Sequence, residues 1–158
     1  MPQRDYILRL IEQLGQFLAR VLQQRKQNAP QEALQTIMAA FERLFGLEAV
    51  QIFQFTPDQH IAMLADGELP ETAREKVLMY AALTAEAGHC YVTLGQPKLA
   101  QQSFLSALRL VLKARLQFPG DQLPEFAPKT DALLALLDDT PLDGGTRDLL
   151  AAVERAGH

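Results

Sequence analysis

Between Gly88 and Ala107 the chain sets small and aromatic residues at fixed intervals: Gly88, Tyr91, Gly95, Ala100, Phe104 and Ala107. Small residues at 88, 100 and 107 let two helix backbones approach closely, Tyr91 and Phe104 fill the space beside them, and Gly95 supplies the positive φ that ends the first helix. The pattern predicts antiparallel helices over about 70–94 and 97–117, joined by the turn Gly95-Gln96-Pro97. Such a hairpin cannot bury its apolar face alone, so further helical hairpins must stack on it.

The rest of the chain offers them. Residues 5–26 place Tyr6, Ile7, Leu10, Ile11, Leu14, Leu18, Val21 and Leu22 at helical spacing. Leu8 and Phe17 widen this stripe beyond what one neighbour covers, so the helix is expected to pack against two others or against a second copy of the chain. Asn28-Ala29-Pro30 breaks it: Asn28 suits a helix C-terminus, and Pro30 the first turn of a helix over 31–45 that Gly46 ends. In the helix over 70–94, Val77, Leu78, Ala81, Ala82, Ala85, Gly88, Tyr91 and Val92 are expected on the buried side.

The stretch 47–66 reads as an irregular insert of two short helices. One covers 50–55, whose β-branched and aromatic residues also fit a strand, and one starts at Thr56 or Asp58 with Pro57 and is stopped by Gly67. Residues 118–128 read as an extended connection, and helices over about 129–137 and 147–156 cap the stack. The expectation is one all-α domain, 1–158, with hairpins at about 5–45 and 70–117, the insert at 47–66 and C-terminal helices within 129–157.

The six residues from Gly88 to Ala107 resemble the tetratricopeptide repeat, whose small, Tyr, Gly, Ala, Phe, Ala pattern they meet at the same intervals. The proline that often closes that repeat is replaced by Leu112. Ala33, Ile37 and Ala40 repeat the spacing of Ala100, Phe104 and Ala107 at an offset of 67 residues, with Asn28 at the place of Gly95 and Gln24 at the place of Tyr91. That offset is close to two repeat lengths of about 34 residues.

The resemblance implies helical hairpins stacked in a TPR-like array, the first helix of each lining a groove. On the matching hairpin this puts Ala82, Ala85, His89, Val92 and Thr93 on the groove side. It further implies a non-catalytic adaptor that binds a protein or peptide, with His89 either a contact or a half-buried structural side chain. The alternative is a small-molecule-binding or catalytic helical domain that uses His89 in an apolar pocket. The run Arg4 to Leu14 also resembles the opening of a family of uncharacterised bacterial proteins known only as a domain of unknown function; that resemblance covers most of the chain and implies no activity.

Chemistry is harder to place. His89 and Cys90 are adjacent on a helix and so point about 100° apart, which makes a buried core thiol a better reading than a nucleophile with its base. His60, His89 and His158 are widely separated, no Cys-x-x-Cys or His-x-x-x-His pair occurs, and Asp143 suits a helix cap better than a cation. Gly144-Gly145 lacks the Gly-Lys-Ser/Thr end of a phosphate loop. The expectation is no enzyme, no cofactor and no metal.

A net charge of −4 argues against nucleic-acid binding, which needs a basic surface. No apolar run approaches membrane-spanning length, and the charged start lacks the form of a secretory signal, so a cytoplasmic location is expected. The first helix carries Arg4, Arg9, Arg20, Arg25 and Lys26 but few aromatic anchors, which favours packing in a helical core over lying on a membrane. The partner is then an unnamed protein or peptide, with the helix over 5–26 a candidate homodimer surface.

Overall fold

Pro30, Pro57, Pro70 and Pro97 each open a helix, at the position where a missing N–H leaves no bond unmade. A computed structural model of the chain describes residues 2–48, 54–118, 120 and 122–156. Among these residues there are seven helices and no strand: α1 Pro2–Lys26, α2 Pro30–Phe45, α3 Pro57–Ala65, α4 Pro70–Thr93, α5 Pro97–Gln117, α6 Thr130–Leu136 and α7 Gly144–Arg155. The fold is all-α. The short helix or strand expected over 50–55 falls mostly on residues outside those described.

The two hairpins share one turn. Asn28 at φ 57° and Gly95 at φ 73° occupy the left-handed region at equivalent places, where Asn and Gly bear the lowest steric cost. Ala29 N–H then donates to the Gln24 carbonyl at 2.8 Å, and Gln96 N–H to the Tyr91 carbonyl at 2.9 Å. The residue before each second helix has nearly the same backbone, φ −117° and ψ 65° at Ala29 against φ −115° and ψ 74° at Gln96. The helices flanking the two turns end and begin at positions offset by the same 67 residues.

Helix α4 is the centre of the molecule. It packs against α1, α2, α3 and α5, and buried residues on all its sides, from Thr72 to Tyr91, make it a core helix rather than an amphipathic one. Gly88 sets its approach to α5. A Cβ at that position would lie 2.5 Å from the Phe104 ring, so the glycine is required by close packing. Val92, expected on the buried side, is instead 57% exposed, because the last turn of a helix has neighbours on fewer sides than its middle.

Helix α1 packs on α2 and α4, the first of the two arrangements expected from its wide stripe. Ile7, Leu10, Leu14 and Val21 enter the core, whereas Tyr6, Leu8 and Leu22 stay exposed. It starts at Pro2, ahead of the expected Asp5. Thr56 and Gln59 form a reciprocal capping box at the start of α3, which makes Thr56 rather than Asp58 its cap. Helix α7 starts at Gly144 rather than near Arg147, because the Asp143 carboxylate accepts the Thr146 N–H at 2.7 Å and begins the helix earlier. That hydrogen bond, with Arg109 nearby, holds the Asp143 carboxyl below its usual pKa.

Candidate functional site

In each hairpin the first helix turns a second face away from its partner helix. At the 67-residue offset, Gly15, Leu18 and Leu22 of α1 correspond to Ala82, Ala85 and His89 of α4. Both faces meet the C-terminal segment. Leu18, Ala82, Ala85, Glu86 and His89 line one side of a cavity of about 170 Å³ whose other side is Phe126, Lys129 and Leu133. Ile11, Leu14 and Gly15 face Pro124, Glu125 and Phe126 across an open cleft of about 460 Å³. Phe126 is thus a wall of both spaces, and the first helices of the two hairpins share one groove.

The segment over the groove is tied down at its start. The buried Arg74 guanidinium donates to the Gln122 carbonyl at 3.2 Å, and a Cβ on Gly120 would lie 2.5 Å from its Cζ. Further on, Ala127 N–H donates to the Pro124 carbonyl at 3.0 Å and Ala127 is buried. The proline-rich sequence that reads as an extended link in fact packs across α1 and α4.

Three of the five sequence-predicted groove residues come together here: Ala82 and Ala85, both buried, and His89, half-buried. Val92 and Thr93 do not line this cavity; both are exposed, and the Thr93 hydroxyl donates to the His89 carbonyl at 3.3 Å. The sequence reading missed Gly15 and Leu18 on α1, and Phe126. The 67-residue offset could have found the first two, since it maps Ala82 and Ala85 onto them.

The His89 ring meets the Phe104 ring edge-on, centroids 5.0 Å apart. Burial first, and then the Arg25 guanidinium, hold its pKa below the usual value, against the opposing pull of Glu86. Arg25 and Glu86 form an ion pair at 2.6 Å beside it. Neutral His89 therefore suits hydrogen bonding better than carrying charge. Cys90 is fully buried, and burial pushes its thiol up to about 11, which leaves almost no thiolate near neutral pH.

A second cavity, of about 180 Å³, opens between α2, α3, α4 and α5. Its floor is a run of packed rings: Phe41 and Tyr80 have centroids 4.6 Å apart, His60 and Tyr80 4.7 Å, and Phe55 and His60 5.7 Å. His60 is buried, and its Nε2 lies 3.0 Å from the Tyr80 hydroxyl. Burial raises the Tyr80 pKa, so the phenol stays protonated and able to donate. Near this wall Lys113 pairs with Asp58 and ties α5 to α3.

Among the described residues, no three His, Cys, Asp or Glu side chains gather as a metal site, and no helix is long and apolar enough to cross a membrane. No protein-family model, curated protein or solved structure matches the chain. Its functional reading rests on the groove and the cavity themselves.

Proposed function

We propose that the protein is a non-catalytic adaptor that holds an extended, proline-flanked segment of a partner protein, with an aromatic side chain, in the groove between α1 and α4. The observation that carries this reading is the chain's own segment 123–128, which lies across both helices with Phe126 between two unfilled spaces. A groove that accepts one such segment has the shape and chemistry for another, because Gly15, Ala82 and Ala85 leave room for backbone and Phe126 marks where a ring inserts. The tethered segment competes with any partner at an effective concentration of about millimolar, so a partner must displace it. In this reading the hairpins stack as in tetratricopeptide repeats, the adaptor works in the cytoplasm, and the exposed Tyr6, Leu8 and Leu22 of α1 join two copies.

A labelled peptide with the sequence of residues 121–129 tests the groove. The Phe126→Ala variant is expected to bind it at least about tenfold more tightly than wild type, as a weakened internal competitor requires. Binding by neither protein, or equal binding by both, overturns the proposal.

A further inference from the structure

One pair of matched positions has a different outcome in each hairpin. Tyr91 and Ser103 correspond, 67 residues on, to Gln24 and Thr36. In the first hairpin the Thr36 hydroxyl donates to Gln24 Oε1 at 2.8 Å and the two side chains close on each other. In the second hairpin Tyr91 and Ser103 both line the cavity of about 180 Å³. The place that a side-chain hydrogen bond bridges in one hairpin borders a cavity in the other.

The cavity lining combines two chemistries. Phe41, Phe55 and the His60–Tyr80 pair supply aromatic rings, and Ser103 and Ser106 of α5 are hydroxyl-bearing residues. No lysine, arginine, aspartate or glutamate is among its described lining residues. An ionic ligand would give up part of its hydration there without a counter-charge among these residues, which disfavours it. The volume is close to that of a roughly 150 Å³ apolar cavity that takes up benzene.

We infer that this cavity binds an uncharged single-ring aromatic molecule bearing a hydroxyl. The ring stacks among Phe41, Phe55 and Tyr80, where offset and edge-to-face contacts are favourable. The hydroxyl meets Ser103, Ser106 or Tyr91. This site lies between α2, α3, α4 and α5, and does not depend on the groove between α1 and α4.

Titration of the isotope-labelled full chain with benzyl alcohol, followed by amide NMR, tests the assignment. Saturable shifts centred on Phe41, Tyr80, Tyr91, Ser103 and Ser106 are expected, and cyclohexylmethanol and benzoate should each bind at least about tenfold more weakly. Ser106→Phe, which fills the cavity from the half-buried side, should weaken benzyl alcohol binding at least about tenfold; should that variant not fold, Ser103→Leu serves the same purpose. Unsaturable shifts, equal binding of either control, or undiminished binding by the filled variant overturns the inference.

Discussion

The hairpins α1–α2 and α4–α5 share a turn and differ in what surrounds it. Both use a left-handed residue, the same hydrogen bond back into the first helix, and a proline two residues on. At the closest approach of the helices, however, α4 and α5 bring Gly88 against the ring of Phe104, whereas the equivalent residues Val21 and Ile37 are both branched and both buried. One large and one absent side chain replace two of middle size. The comparison teaches that the turn fixes the hairpin, while interior volume can be divided between the two helices in more than one way.

The strongest way to break this equivalence is Gly88→Val. It is expected to destabilise the protein by about 2–3 kcal/mol, because a well-packed interior resists added volume, even after the roughly 0.3 kcal/mol regained by exchanging a helical glycine for valine. Adding Phe104→Ile recreates the pairing of the first hairpin and should recover most of that loss in urea denaturation. A double variant no more stable than Gly88→Val alone would show that the two sites are not interchangeable.

The helices also differ in burial, since α4 is central and α1 peripheral. Cys90 is fully buried, whereas its counterpart Gln23 is exposed. The folded chain keeps the Cys90 proton up to about 11, while the unfolded chain releases it from its ordinary 9.0, so the folded state binds more protons in that window and its stability falls as pH rises through it. The loss is at most about 2.7 kcal/mol for a shift of this size. Cys90→Ala should remove the thiol's share of the pH dependence of urea unfolding across that window, leaving the slope of the same sign that the buried phenols of Tyr80 and Tyr91 add in its upper part. In a Gln23→Cys/Cys90→Ala protein the exposed thiol should add no such slope, and an equal slope there would contradict the burial difference.

The smallest expected effect lies beside the turns. Thr36→Val removes the hydroxyl that Gln24 accepts and should cost about 1 kcal/mol in thermal or urea unfolding. Ser103→Val, at the matched position beside an open cavity, should cost markedly less. Equal losses would mean that the cavity-facing hydroxyl supports the fold as much as the hydrogen-bonded one.

Much of this architecture was legible. Helix starts at Pro30, Pro57, Pro70 and Pro97 and the left-handed Asn28 and Gly95 are local facts governed by a few adjacent residues, and the close approach at Gly88 to Phe104 follows from the short turn that folds α5 back on α4. The groove was legible in part. The tetratricopeptide resemblance implies Ala82, Ala85, His89, Val92 and Thr93 on the groove side, yet Val92 and Thr93 stand outside the cavity, since a pattern along one helix assigns a face and not the length over which a neighbour covers it. Phe126 sits in a stretch with no periodicity, so nothing local foretold that it would cross α1 and α4.

By itself the sequence determined the helices, their turns and the tight pairing of α4 with α5, because backbone conformation and nearest-neighbour packing are set by residue type at short range. Only the tertiary structure decided that segment 123–128 lies across the groove shared by α1 and α4, and that Tyr91 and Ser103 border a cavity where Gln24 and Thr36 hydrogen-bond to each other. Those outcomes depend on which surfaces meet across long stretches of chain, and burial is gained from whichever apolar faces are brought together.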